Sequence, residues 1–226
     1  FLIEGERGIE QILRSRAEAV AEVVAVEGMP PVFGDRQVRY ITAGQFKSIC
    51  AAKTPQGIMA VVRLPQETYS DNLPDMIGGR VLLLEDVQDP GNVGSLIRSA
   101  AAFGYSGIVM SDRCADPFSP KCVQSTVGTL LSLWIRRTAS YIELVAELKR
   151  RGYVIVAADL AGTENPSILS RPDALVLALG NEAAGLSKQV IAISDRRCKI
   201  YMERDKAESL NVAACGAICM YLSAAK

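Results

Sequence analysis

Along the first 66 residues, apolar runs alternate with amphipathic ones on short periods. Phe1 to Ile3, Val20 to Val26, Val38 to Ile41 and Ile58 to Val62 read as strands, and Gly8 to Arg16 and Ala43 to Ala52 as helices. Phe46 and Ile49 share one face of the second helix, and Thr54-Pro55-Gln56-Gly57 stops it. The order predicts a small α/β unit. From Leu64 to Gly79 the period dissolves among Pro65, Asp71, Asn72, Pro74, Gly78 and Gly79, a composition of turns. The expected division is a small domain over 1–66, a linker over 67–79 and a larger domain over 80–226.

In the larger domain the alternation becomes regular. Arg80 to Val87, Gly107 to Ser111, Tyr153 to Ala158, Ala174 to Leu179 and Cys198 to Met202 read as strands, with helical segments between most of them. Runs such as Val81-Leu82-Leu83-Leu84 suit a parallel sheet covered on both faces, so the fold class is α/β. The segment from Ser209 to Ala225 carries no charge and is apolar on every side of a helical wheel. Such a helix is expected to lie between its own sheet and a second subunit, which predicts a homodimer.

Composition narrows the chemistry. The chain has no histidine, which excludes His-based triads and the ordinary zinc sets. Its six cysteines form no C-x-x-C pair and no basic-then-apolar segment opens the chain, so a reducing, cytoplasmic setting is expected, with no metal. Asp, Arg or Gly breaks the longest strongly apolar stretches within a dozen or so residues, and the charge-free segment from Ser209 is slightly short for a span, so no membrane span is expected. Lys plus Arg and Asp plus Glu are both 25, so a nucleic-acid partner requires a local patch. The basic groups Arg136-Arg137, Lys149-Arg150-Arg151 and Arg196-Arg197 are expected on the solvated surface, where some could meet phosphates.

Three strand ends run into small and polar residues, where an open α/β sheet binds ligands. The first is Asp89-Pro90-Gly91-Asn92-Val93-Gly94 through Arg98, in which Asn92 could be a helix cap or a site residue. Gly94 and Arg98 share a helix face, so the glycine could leave ligand room beside the guanidinium. The second is Leu179-Gly180-Asn181-Glu182 to Gly185-Leu186-Ser187, which has P-loop spacing with Leu186 where a lysine belongs. The third is Ile200-Tyr201-Met202, followed by Glu203 to Glu208 and Ser209-Leu210-Asn211-Val212, where Ser209 or Asn211 could cap the last helix. No G-x-G-x-x-G follows a strand.

Together the three segments resemble the motifs of the SpoU/TrmH family of RNA ribose 2′-O-methyltransferases, in the SPOUT class. Asp116-Pro117-Phe118-Ser119-Pro120-Lys121 to Gly128 resembles a further family segment, and residues 1–66 resemble a small ribosomal-protein-like RNA-binding domain. The resemblance implies a SPOUT-type parallel sheet with a C-terminal trefoil knot, a homodimer, and S-adenosyl-L-methionine held at Leu179, Gly180, Ile200, Met202 and Leu210. It implies an active site of Asn92, Arg98, Glu182, Ser209 and Asn211, with Arg98 at the ribose 2′-hydroxyl. A guanidinium stays protonated at ordinary pH, so its expected role is to orient that hydroxyl. The expected substrate is ribosomal RNA in preference to transfer RNA; the alternative is an RNA-binding or ribosome-assembly protein that keeps the fold without transfer. Two positions depart from the family pattern: Tyr201 stands where proline is usual, and the Glu203 to Asp205 stretch is one residue longer and lacks a glycine.

Overall fold

The computed structural model describes residues 1–30, 33, 36–52, 54–203, 205–206 and 208–224. In the N-terminal part the elements are β1 (Leu2–Glu4), α1 (Glu6–Arg16), β2 (Val20–Val26), β3 (Val38–Ile41), α2 (Ala43–Ile49) and β4 (Ile58–Val62). Among the described residues these strands form a mixed sheet ordered β1-β4-β2-β3, in which β2 and β3 run parallel and the other neighbours antiparallel. Thr42 starts α2 with a capping box: its hydroxyl accepts the Gln45 N–H at 3.3 Å while Gln45 Oε1 accepts the Thr42 N–H at 3.0 Å.

The remainder follows as β5 (Arg80–Leu84), α3 (Pro90–Ala102), β6 (Gly107–Ser111), α4 (Pro120–Thr126), β7 (Trp134–Thr138), α5 (Tyr141–Arg150), β8 (Val154–Ala158), β9 (Leu175–Leu179), α6 (Lys188–Ile193), β10 (Arg196–Cys198) and α7 (Val212–Ala224). Among the described residues the strands build a six-stranded, all-parallel sheet ordered β10-β8-β9-β5-β6-β7. Its central strands are apolar throughout because both faces are covered. Leu82, Leu84 and Leu177 belong to a core shared with α3 and α7, while Val81, Leu83 and Val176 belong to one shared with α5. The chain builds outward from β5 to β7, crosses to β8 on the other side, and returns to β9 beside β5. The carboxyl ends of β5 and β9 therefore flank a topological switch point.

The two parts share one core. Ile9 and Ile12 of α1 belong to the same buried cluster as Val123, Leu130 and Leu131. The segment over 67–79, expected as a linker, is strapped to the parallel sheet. Leu73 and Ile77 are buried, the Trp134 indole N–H donates to the Ile77 carbonyl at 2.9 Å, and the Tyr153 hydroxyl donates to the Gly78 carbonyl.

Two expectations change: the position of the last strand and the room beside Gly94. The last strand is Arg196–Cys198, two residues earlier than the Cys198 to Met202 reading, and Ile200 to Met202 form an irregular segment. Their apolar side chains suggested a strand, but they serve a cavity instead. Helix α7 is buried along Val212, Gly216, Cys219, Met220 and Ser223, while within the chain Ile218 and Tyr221 stay 39% and 60% exposed. Gly94 makes room for a helix, not a ligand: a Cβ there would lie 2.5 Å from the Cys122 carbonyl oxygen and 2.6 Å from Ser125 Cβ, both on α4.

Candidate functional site

The site begins with a backbone conformation that few side chains adopt. Asp86, just past β5, has φ 56°, a left-handed value that aspartate tolerates better than most residues. The Ser111 hydroxyl holds it by donating to Asp86 Oδ1 at 2.7 Å and accepting the Asp86 N–H at 2.9 Å. So turned, the Asp86 carbonyl accepts the Asn181 side-chain N–H at 2.9 Å. Asn181 Oδ1 accepts the Ala183 and Ala184 N–H groups, each at 2.9 Å, and its backbone exchanges hydrogen bonds with Gly185 at 3.1 and 2.9 Å. One side chain thereby shapes the whole loop after β9. Gly180 is obligatory there, since a Cβ would lie 2.4 Å from the Gly185 backbone.

Glu85 fixes the far end of that loop. Its carboxylate is 3% exposed and accepts the Tyr141 hydroxyl at 2.5 Å and the Ser187 N–H at 2.6 Å. Burial, together with Glu85, pushes the Tyr141 phenol up from its ordinary pKa, so it remains a donor. Ser187 in turn caps α6 through its hydroxyl, which accepts the Val190 N–H at 3.2 Å.

A cavity of about 250 Å³ opens at the carboxyl ends of β8, β9 and β10. Leu179, Gly180, Ile200, Met202 and Leu210, the five residues that the family resemblance gives to the cofactor, all line it, and so do Glu182 and Ser209. At its edge Asn92 Nδ2 donates to Glu182 Oε1 at 2.7 Å, and Asn211 Nδ2 donates to Asn92 Oδ1 at 3.0 Å. Asn211 also caps α7, accepting the Ala213 and Ala214 N–H groups at 2.9 and 3.3 Å. Capping and site readings of Asn211 are thus compatible. Asn92 is not the cap of α3: Asp89 is, its carboxylate accepting the Asn92 N–H at 3.0 Å while Lys121 donates to it at 2.7 Å. The Lys121 hydrogen bond holds the Asp89 carboxyl below its usual pKa.

Arg98 stands apart. It is exposed on α3, six residues and about 9 Å of helix rise beyond Asn92, and among the described residues it makes no hydrogen bond or ion pair. The cavity also takes in Asp159, Cys198 and Cys215, which lie outside the three motifs, and Asn181, which lies within the second and had no role there. Asp159 follows β8 and is paired with Arg197 at 2.5 Å. An acidic residue after an apolar strand was the available signal for it.

The donor set fits a cofactor with one apolar and one polar part. Leu179, Ile200, Met202 and Leu210 supply apolar walls, the Gly180 to Gly185 turn keeps backbone close, and Glu182 and Asp159 bring carboxylates.

Fold and site together define a methyltransferase with the all-parallel sheet typical of the SPOUT trefoil-knot class. The family model described as the SpoU rRNA Methylase family matches residues 79–221. The chain belongs to this family, and with it to the S-adenosylmethionine-dependent RNA ribose 2′-O-methyltransferases. It is 30% identical over 227 residues to the 23S rRNA (guanosine(2553)-2′-O)-methyltransferase RlmP of Bacillus subtilis, covering 98% of this chain and 87% of that protein. Among solved structures, the SpoU methyltransferase AviRb of Streptomyces viridochromogenes, in complex with AdoMet, matches with TM-score 0.81 and 27% identity, over 99% of this chain and 89% of that one. An AdoMet-bound rRNA methyltransferase from Sinorhizobium meliloti matches with TM-score 0.81 and 25% identity, over 99% and 86% of the two chains. Among the described residues no helix is long and apolar enough to cross a membrane, and no cluster of His, Cys, Asp or Glu could hold a metal.

Proposed function

We propose that this protein methylates a ribose 2′-hydroxyl of ribosomal RNA, in preference to transfer RNA, and that residues 1–66 grip the RNA. The observation that carries the reading is the convergence of three distant segments at one cavity, joined by the Asn211–Asn92–Glu182 hydrogen bonds. The rRNA 2′-O-methyltransferase RlmP, similar over nearly the whole chain, supports the preference for ribosomal RNA. The six cysteines are free, as a reducing cytoplasm would keep them.

Leu179, Gly180, Ile200, Met202 and Leu210 would hold S-adenosylmethionine, which when bound supplies a methyl group on a sulfonium whose loss leaves a neutral thioether. The transfer would be an in-line displacement, with the hydroxyl proton lost to solvent, so that holding the 2′-oxygen behind the methyl would supply much of the acceleration. Arg98, with no competing ion pair among the described residues, is assigned to orient the hydroxyl. Glu182, Ser209 and Asn211 shape the reacting end, and Asn92 keeps the Glu182 carboxylate in place. A second copy of the chain covers Ile218 and Tyr221 on α7, which makes the working form a homodimer.

Titrating the protein with S-adenosylmethionine by calorimetry tests the reading at its first step. Binding is expected, and weakened at least tenfold in Gly180→Ala. A folded protein that binds RNA but no S-adenosylmethionine would instead be the ribosome-assembly alternative. Sedimentation equilibrium tests the dimer, with Ile218→Glu and Tyr221→Glu expected to shift the mass to that of a monomer.

A further inference from the structure

A second cavity, of about 660 Å³, lies where the N-terminal part meets the β7 edge of the parallel sheet. Phe118 and Leu131 line it from one face of the sheet edge and Trp134 from the other. Three guanidiniums line it from three elements: Arg16 at the end of α1, Arg63 after β4, and Arg136 within β7. Arg136, expected on the solvated surface, is only 7% exposed. Its Nε donates to the Asn72 carbonyl at 2.6 Å and its Nη1 to the Ile135 carbonyl at 3.0 Å. Among the described residues no carboxylate lies within ion-pair distance of it. Burial lowers its pKa, and Glu67, also at the cavity, opposes this only in part.

A nearly buried guanidinium without a counter-ion is costly, and proteins ordinarily pair such charges. Glu18, in the same lining, serves the neighbouring arginines and is not paired with Arg136. Arg63 donates to the Glu18 carbonyl at 2.9 Å, and Arg16 has Glu18 at 4.0 Å as its exposed partner. The lining holds three guanidiniums against two carboxylates, Glu18 and Glu67, which leaves it a net positive charge, and its apolar lining and volume exceed what a bare phosphate fills.

We propose that this cavity is an RNA subsite, taking a backbone phosphate on Arg136, Arg63 and Arg16 while the attached base lies against the apolar lining at Phe118. The inference rests on RNA being the substrate. Strand β7 is three strand spacings, about 14 Å across the sheet, from β9, and the subsite starts at the amino end of β7 whereas the methyl-transfer cavity lies at the carboxyl ends, so several nucleotides of extended RNA would be needed to join the two. Stacking on an aromatic side chain with phosphate on arginine is how unpaired RNA is commonly held.

The test measures binding of a labelled, mixed-sequence single-stranded RNA across a salt titration, with S-adenosylmethionine affinity and RNA KM recorded for each variant. The rim variant Arg16→Ala/Arg63→Ala, whose side chains are exposed, guards against misfolding of Arg136→Gln. Both are expected to weaken RNA binding about tenfold and to lower the slope of log K against log salt by about 0.7 for each phosphate left unneutralised. RNA KM rises, while kcat and S-adenosylmethionine affinity stay unchanged. An unaltered affinity, slope and KM in the folded rim variant would overturn the subsite while leaving methyl transfer intact. Displacement of the RNA by inorganic phosphate at equal concentration would also overturn it, in favour of a small-anion site. Absence of any RNA binding by the unaltered protein would overturn the subsite and the proposed function together.

Discussion

Asn92 and Glu182, 90 positions apart, meet in a side-chain hydrogen bond of 2.7 Å, and Asn211 extends it by donating to Asn92 at 3.0 Å. An asparagine can serve both neighbours because it has a donor to give Glu182 and an acceptor for Asn211. Aspartate there offers Glu182 no N–H and sets a second carboxylate beside it. Asn92→Asp is expected to lower methyl transfer about 100-fold at neutral pH, with S-adenosylmethionine affinity changed less than about threefold. Steady-state kinetics alongside calorimetry check both halves.

Gly180 is packed so closely that a methyl group would meet the Gly185 backbone at 2.4 Å. Gly180→Ala must push the 180–187 loop out of the cavity. S-adenosylmethionine affinity is expected to fall at least tenfold and stability by about 2 kcal/mol, read from denaturant unfolding.

Gly94 tests a different packing relationship. The α4 backbone lies against it, with the Cys122 carbonyl oxygen 2.5 Å from where a Cβ would be. Gly94→Ala is expected to destabilise the protein by about 1–3 kcal/mol while cofactor affinity, measured on the folded fraction, stays within twofold. Loss of cofactor binding without loss of stability would return Gly94 to the ligand site.

Asp89 couples α3 to pH. Its carboxyl is held below the usual aspartate range, first by the hydrogen bond from Lys121 and then by the Asn92 N–H. A depressed folded-state pKa means the stabilisation is fully present above the ordinary aspartate value, about 4, and is lost as pH falls through the lowered one. Asp89→Asn is expected to flatten the fall of Tm below about pH 4. Because asparagine also caps a helix, activity at neutral pH is expected to stay within a few fold.

Much of the fold was legible in the chain because burial dictated the pattern. Strands β2, β3, β4 and β6 match their apolar runs residue for residue, since each must fit a pleated surface. Strand β7 escaped notice because Trp134-Ile135-Arg136-Arg137-Thr138 lies at an edge and carries two arginines, one turned inward to a cavity that no local pattern reveals. Strand β10 was displaced because Arg196-Arg197-Cys198 pairs with β8 through backbone groups, whereas the more apolar Ile200 to Met202 segment borders the cofactor cavity. In the site, glycines and asparagines at strand ends pointed to the correct segments. The organising roles of Asn181 and Glu85 depend on partners 95 and 102 positions away, which no spacing rule reaches.

Methyl transfer to a ribose is measured most directly with labelled S-adenosylmethionine and unmodified ribosomal and transfer RNA, followed by digestion and mass spectrometry. Arg98→Ala is run in parallel. A ribose-methylated nucleoside from ribosomal RNA, abolished or lowered at least tenfold in Arg98→Ala, is the predicted result. A base-methylated product, or no product from either RNA despite cofactor binding, would contradict the account.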